Sequence, residues 1–291
     1  MIKPEKILII LNPAARSERA GGLLGGISAL PGRPSIRLTS RPGDAEAIAE
    51  RATKQGFHAV VAAGGDGTVN EVVNGLAGSD IPFGILPVGT MNVFAAELGI
   101  PLWDLEAAWR VVRDGHTRAV DLPLANGEAF VQLAGAGLDA EVVRQTSRES
   151  KNALGPISYL LTLAQVAARK PPLISIQPEG SAARTGSFVL AGNGRFYGGP
   201  FVLFRDARPD DGLLDILIFK NQSQWDVIRY MQAIAFGAHP ELPDVEYLQA
   251  PSMRLECENY VPVEVDGELV GALPYDFRIS PTKLRVLAPA D

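Results

Sequence analysis

Cysteine is almost missing from these 291 residues, since Cys257 stands alone. One thiol cannot close a disulfide within the chain, so no disulfide framework holds the fold, and a reducing compartment is the expected setting. Histidine is scarce too, with His58, His116 and His239 far apart. Zinc sites built from Cys and His are therefore disfavoured, and a metal held here would need oxygen ligands, as Mg²⁺ does. No apolar run approaches the ~18–20 residues that cross a bilayer. The opening residues carry only the short run Ile7–Leu11 before Asn12-Pro13, with no signal-peptide cleavage pattern. The expectation is a cytoplasmic protein, with peripheral contact to the inner membrane face left open. Positive charge is not in excess either: 27 Lys and Arg face 33 Asp and Glu, a net charge of −6. Bulk charge does not hold such a chain to nucleic acid.

What is present is an ordinary globular composition. Hydrophobic residues make up 46% and charged residues 21%, which is enough apolar material to bury a core and excludes a disordered chain. At about 150 residues per domain, the length suggests two domains or one large one.

The first part of the chain alternates between two periods. Residues 6–11 are continuously apolar and stop at Asn12-Pro13, as a buried parallel strand does. Residues 35–39 read as a second strand. Residues 44–55 read as a helix with Ala45, Ile48, Ala49 and Ala52 on one face and Gly56 just past its end. A strand at 58–63, a helix at 68–76, a strand at 83–86 and helices at 92–98 and 102–113 follow. This order predicts an open α/β sheet with right-handed crossovers. After Val120-Asp121 the texture changes to short strand-like runs at 129–133, 173–177, 187–191, 213–219, 252–257 and 261–265, divided by turn residues. They predict an antiparallel β-rich second domain. Two helical stretches interrupt it. Residues 157–168 align Ile157, Leu160, Leu161 and Ala164, and residues 225–238 align Trp225, Ile228, Met231 and Ala235. Both stripes are expected to pack into the core, the sharper alternative being contact with lipid. The expected domains are 1–124 and 125–278, with segment 279–291 a candidate to rejoin the first.

The most informative segment is Gly64-Gly65-Asp66-Gly67-Thr68-Val69-Asn70-Glu71, which follows a strand and opens a helix. Ligands of open α/β sheets bind beyond the carboxyl ends of the strands. Glycines admit a close backbone approach, and the free N–H groups of the next helix attract anions. Gly64, Gly65 and Gly67 therefore suit a phosphate cradle, with Thr68 adding a hydroxyl. Asp66 beside phosphates would be repulsive without an intervening cation, which points to a Mg²⁺-linked nucleotide. The spacing is neither a Walker A loop nor Gly-x-Gly-x-x-Gly. A second loop, Pro87-Val88-Gly89-Thr90-Met91-Asn92, repeats the strand-to-helix context, and Thr90 or Asn92 could cap its helix. The Asp-Gly of Val265-Asp266-Gly267-Glu268 is a hairpin signal between two β-type runs.

The combination resembles the diacylglycerol kinase catalytic domain, and in particular the soluble bacterial lipid kinases of the diacylglycerol kinase and YegS type. The resemblance spans nearly the whole chain. It includes Leu11-Asn12-Pro13, Gly43-Asp44-Ala45, Val120-Asp121-Leu122, Gly192-Asn193-Gly194-Arg195, Asp210-Asp211-Gly212-Leu213 and Asp266-Gly267-Glu268. The Gly-Gly-Asp-Gly core is shared with NAD kinases and phosphofructokinases. The fold it implies is a kinase-like N-terminal α/β domain followed by an antiparallel β-sandwich domain. The activity it implies is ATP- and Mg²⁺-dependent phosphorylation of a lipid hydroxyl at a membrane surface, the acceptor entering a cleft between the domains. By the same resemblance Thr39, Gly64, Gly65, Asp66, Gly67, Thr68, Val69, Asn70 and Thr90 bind nucleotide. Asp66 acts through the metal and its waters, and Asp121 joins that acidic network. Glu268 is the base for the lipid hydroxyl, with Asp266 as the neighbouring candidate. Asp211, with the carbonyls of Arg208 and Leu213, matches a structural Mg²⁺ site. Where the family often has Ser-Gly after Asn12-Pro13, this chain has Ala14-Ala15-Arg16-Ser17, and Arg16 and Arg19 read as solvated charges, with contact to phosphate by either one the open alternative. A homodimer is left open. Two alternatives stand beside the lipid kinase: a kinase of a soluble substrate such as NAD, and a non-catalytic nucleotide- or lipid-binding regulator.

Overall fold

The computed structural model describes residues 1–15, 20–145, 165–168, 170–197, 199 and 201–290. The chain forms two compact units, Met1–Leu122 with Ser280–Asp291, and Pro123–Ile279.

The first unit is built on β1 (Ile7–Leu11), β2 (Ser35–Leu38), β3 (Ala59–Gly64) and β4 (Phe83–Pro87), parallel in the order β2-β1-β3-β4. β1, β3 and β4 are buried along their whole length. A central parallel strand is covered on both faces, so its sequence is continuously apolar rather than alternating. The helices are α1 (Ala20–Ser28), α2 (Asp44–Ala52), α3 (Asp66–Leu76), α4 (Val93–Glu97) and α5 (Leu105–Asp114). In α5 the Asp104 carboxylate accepts the Ala107 N–H at 2.9 Å, Gly115 ends the helix in the left-handed region, and Ala108, Trp109 and Val112 face inward. β5 (Thr117–Val120) completes this stretch.

The second unit contains β6 (Pro123–Ala125), β7 (Glu128–Ala129), β8 (Leu133–Ala136), α6 (Leu138–Gln145), β9 (Ile174–Pro178), β10 (Arg184–Gly186) and β11 (Phe188–Gly192). It continues with β12 (Phe196–Tyr197), β13 (Phe201–Val202), β14 (Leu214–Phe219), α7 (Gln224–Ala235), β15 (Val245–Ala250), β16 (Ser252–Glu256), β17 (Pro262–Val265), β18 (Glu268–Ala272) and β19 (Tyr275–Ile279). Two six-stranded antiparallel sheets result, β10-β9-β16-β19-β6-β7 and β15-β14-β11-β8-β17-β18. They share a core in which Ile174, Ile176, Leu255 and Phe277 of the first meet Val189, Ile216, Ile218 and Val263 of the second. The other face of the second sheet carries Leu190, Leu217 and Phe219 into a cluster with Val142, Val227 and Tyr230 of the helices. Strands β11 and β14 are buried on both faces, whereas β9 alternates buried and exposed residues. The expected α/β plus antiparallel β-rich fold class is what the chain adopts. The last strand, β20 (Leu284–Leu287), belongs to the first unit, where it pairs parallel with β4 and antiparallel with β5.

Some elements differ from expectation. α1 was not expected, because four of its nine residues are glycine, a poor helix former. The run 129–133 is not one strand: it divides between β7 and β8, with Phe130 to Gln132 between them. α6 follows at once, where no helix was expected. Most of the expected helix at 157–168 lies outside the described residues. α7 is present but turned the other way. Its Val227 and Tyr230 are buried, while Trp225, Ile228, Met231 and Ala235 face out, Trp225 at 80% exposure. The neighbouring Phe236 is exposed as well.

Candidate functional site

The carboxyl ends of β1 to β4 gather the phosphate-binding candidates. The chain leaves β1 to form β2 on one side and later places β3 on the other. That reversal is the switch point beyond which open sheets bind ligands. Thr39 N–H donates to the Leu11 carbonyl at 3.0 Å, and Asn12 N–H donates to the Ala63 carbonyl at 3.0 Å. The Asn12 side-chain amide donates to Thr68 Oγ1 at 3.1 Å. Thr39 and Thr68 are buried. The two glycine loops touch: a Cβ on Gly89 would lie 2.3 Å from Gly65 Cα. A Cβ on Gly64 would lie 2.4 Å from the Thr68 Cβ. Glycine at 64 and 89 is thus already required by the packing of the loops against themselves.

Asp66 begins α3. Its Oδ1 accepts the Val93 N–H at 2.7 Å. Burial pushes its pKa up, while the backbone N–H groups of Val93, Phe94 and Asn92 pull it back. The sequence suggested Thr90 or Asn92 as the cap of α4, but no side chain of the preceding residue caps it, and Asp66 takes that place from 27 residues away. Asn92 instead closes its own loop, accepting from Gly89 N–H and donating to the Gly89 carbonyl, both at 3.0 Å. Thr90 is exposed. At α3 the preceding Gly65 makes no side-chain cap, so the first turn offers backbone donors to an anion. Asp121, with its side chain fully buried, meets the Lys283 ammonium at 2.9 Å.

In the second unit Val265 pairs directly with Glu268, so Asp266-Gly267 is a two-residue hairpin loop. Both loop residues have positive φ, 49° and 84°, the type I′ pattern. The Asp266 carboxylate also accepts from the N–H groups of Val131, Gln132 and Leu133 at 2.9, 3.0 and 3.0 Å. Asp266 is therefore both turn residue and anchor for the chain between β7 and β8. Glu268 is exposed, and its side chain makes no hydrogen bond or ion pair among the described residues. Elsewhere in the unit, Asp211 Oδ1 accepts the Leu213 N–H at 3.0 Å around Gly212, and Arg208 lies 3.6 Å from Asp210. Just beyond, buried Asp215 accepts from Tyr247 and Gln249, and burial lifts its pKa to about 6, helped by the charges of Asp211 and Asp206. No group of three or more His, Cys, Asp or Glu side chains among the described residues is placed to hold a metal ion. A metal in either loop would rely on backbone carbonyls or phosphate oxygens.

Four participants were not expected from the sequence: Asn12 under Thr68, Lys283 on Asp121, the buried Glu264 whose Oε2 accepts the Gly267 N–H of the hairpin, and the half-buried Asp139 beside it. Only Asn12 left a local signal, as the Asn-Pro that ends β1.

Residues 6–125 match the model of the diacylglycerol kinase catalytic domain, and residues 132–288 match that of the YegS C-terminal NAD kinase beta sandwich-like domain. A probable lipid kinase YegS-like of Pseudomonas aeruginosa (strain UCBPP-PA14) is 35% identical over 264 residues, 88% of this chain and 85% of that protein. A diacylglycerol kinase of Bacillus subtilis (strain 168) is 32% identical over 247 residues, 84% of this chain and 82% of that protein. A crystal structure from Bacillus anthracis (strain Sterne) has a TM-score of 0.83 at 29% identity, covering 99% of this chain and 97% of that chain. The chain belongs to the diacylglycerol kinase family, and it is accordingly a phosphotransferase of the lipid kinase class with an alcohol group as acceptor.

Proposed function

We propose that this kinase transfers the γ-phosphoryl group of ATP to a hydroxyl of diacylglycerol or a closely related lipid, with Mg²⁺ as the metal. The observation that carries the reading is the meeting of Thr39, residues 64–70 and the Gly89-Thr90 loop at the carboxyl ends of four parallel strands. The uncapped first turn of α3 suits the phosphates, and Asp66 is the acid that suits a hard cation beside them. When bound, Mg²⁺ supplies neutralisation of phosphate charge. Asp66 would hold it through its waters, and Asp121, balanced by Lys283, belongs to the same acidic network. A structural Mg²⁺ would be held by Asp211 with the carbonyls of Arg208 and Leu213.

The chain's own groups do the rest. The N–H donors of the glycine loops and of α3 are fixed before the reaction and face developing phosphoryl charge. An alcohol attacks well only if a positioned group takes its proton. Glu268 is favoured for that role over Asp266, because three backbone donors already occupy the Asp266 carboxylate whereas Glu268 is exposed. The test is transfer from labelled ATP to diacylglycerol in mixed micelles, with NAD as the parallel acceptor. Label on the lipid and none on NAD is expected, and Glu268→Gln should retain ATP binding while losing transfer. Label on NAD alone would refute the reading.

A further inference from the structure

α7 turns toward water the stripe that an amphipathic helix normally buries. Val227 and Tyr230 fill its inner face, and Trp225, Ile228, Met231 and Ala235 are left outside. Phe236 extends the stripe at the end of the helix and is 87% exposed. β13 lies beside α7, and its Phe201 and Val202 are exposed too. The two elements are tied at that end. His239, which closely follows Phe236, holds the carbonyl of Leu203, the residue after β13. Trp225 and Phe236 mark the two ends of the ridge, about 16 Å apart at 1.5 Å per residue.

None of these side chains is charged, and the ionised groups of the same stretch are occupied with one another. Asp226 pairs with Arg229 at 3.0 Å, and Arg229 pairs with Asp244 as well. Lys220, just before the helix, pairs with Glu246 at 2.6 Å. Arg205, just after β13, lies 3.8 Å from Asp206. An ionised group costs heavily when it enters hydrocarbon, whereas an apolar ring gains by leaving water. This face can leave water without taking a charge along, and the cations beside it are already matched.

The occupant follows from the acceptor. A lipid kinase must reach a molecule whose acyl chains stay in a bilayer, and no helix among the described residues is long and apolar enough to cross one. A bilayer surface receives protruding rings along the whole length of a helix that lies flat on it. A second copy of the chain would need apolar grooves to receive them. Cavities of about 730 and 490 Å³ in this unit carry charged walls instead, Arg254, Asp276 and Arg278 in one and Glu141, Arg144 and Lys170 in the other. We propose that α7 and β13 form a membrane-docking face. The helix lies in the plane of the bilayer surface, with Trp225, Ile228, Met231 and Phe236 among the acyl chains and Phe201 and Val202 beside them. The attachment is apolar, so it depends little on salt or on anionic lipid. The inference rests on the reading that the acceptor is a bilayer lipid, and it gives these residues no part in phosphoryl transfer itself.

The experiment mixes the full-length protein with vesicles of phosphatidylcholine containing diacylglycerol and measures bound protein by flotation. The parent should bind, and its binding should change by less than about twofold between about 0.1 and about 0.5 M NaCl. Trp225→Ser combined with Phe236→Ser should keep the parent's urea midpoint and lose at least about tenfold in vesicle affinity. Its transfer to vesicle-borne diacylglycerol should fall by a similar factor. Transfer to a short-chain diacylglycerol dissolved as monomers should stay within about twofold of the parent. Phosphatidylcholine brominated on its acyl chains gives a second readout that needs no loss of binding. It should quench tryptophan emission in the parent and much less in Trp225→Phe. No binding by the parent, equal binding by the double variant, equal quenching of Trp225→Phe, or release by salt overturns the proposal. So does a parent that sediments as a dimer while the double variant is a monomer, because the face then belongs to a second copy. Docking through this face without transfer to any diacylglycerol would leave the face standing and refute the reading of the acceptor instead.

Discussion

The carboxylate of Asp66 caps the helix that starts at Val93, with 2.7 Å between Oδ1 and the amide nitrogen. The acid of the first glycine loop is thereby tied to the second, and under the proposed function nucleotide chemistry and local stability would depend on one side chain. Asp66→Asn keeps an acceptor for Val93 but loses the charge. It should retain the parent's melting temperature and show no phosphoryl transfer. Asp66→Ala loses the acceptor too, and should be destabilised by about 1 kcal/mol in urea denaturation, the usual cost of a missing cap. Full transfer by either variant would remove Asp66 from the mechanism.

Gly89 faces the backbone of Gly65 so closely that a Cβ would sit 2.3 Å from Cα and 3.0 Å from the nitrogen. Backbone atoms cannot step aside as a flexible side chain can. Gly89→Ala should therefore separate the two loops, cost about 1–3 kcal/mol of stability as an overpacked site does, and weaken ATP binding measured by calorimetry. Gly43→Ala is a useful contrast, because open space surrounds that position. Its positive φ of 83° still carries strain, so it should lose some stability and keep its affinity for nucleotide.

His239 is buried, with Nε2 2.6 Å from the Leu203 carbonyl, and burial lowers its pKa below the ordinary 6.5. Below pH 6.5 the unfolded ring takes up a proton that the native ring refuses. The unfolded state then binds more protons, so stability falls as pH drops through that value and is regained on returning to pH 7.5. Urea midpoints at pH 7.5 and 5.5 should differ more in the parent than in His239→Gln.

Trp225 and Trp109 should answer differently to truncation. Trp225 is 80% exposed on α7, and Trp225→Ser should change stability by no more than ~0.5 kcal/mol. Trp109 is 1% exposed and donates its indole N–H to the Pro31 carbonyl at 3.2 Å. Trp109→Ala should cost about 3–5 kcal/mol, read from the shift in urea midpoint.

The orientation of α7 shows where sequence stops being informative. Periodicity located the helix from residue 225 onward but put the wrong stripe, Trp225, Ile228, Met231 and Ala235, in the core. Val227 and Tyr230 win because the Tyr230 ring packs against Phe219 and Phe188 while its hydroxyl reaches Asp244 at 2.6 Å. Arg229 binds the same carboxylate with both terminal nitrogens. Those partners lie 14 and 15 residues away and leave no mark on the local pattern. The continuous apolar runs of β1, β3 and β14 were plainer, since a strand buried on both faces must be apolar throughout. At the site, the glycines and Asp66 stood out because their chemistry is local. The anchoring of Asp266 on residues 131–133 and the neighbours Asp139 and Glu264 arise from contacts over more than 100 residues of chain.

The strand β20 sits between β4 and β5, and β5 has no other partner in its sheet. On the ribosome, the 157 residues Pro123–Ile279 emerge before it does. At about 5–20 residues per second, the nascent first unit waits roughly eight to thirty seconds with the edge of β4 uncovered and β5 adrift. An uncovered edge invites pairing with a foreign strand. Synthesis of this enzyme thus includes an interval of exposure to aggregation, ended only when Leu284–Leu287 slots home.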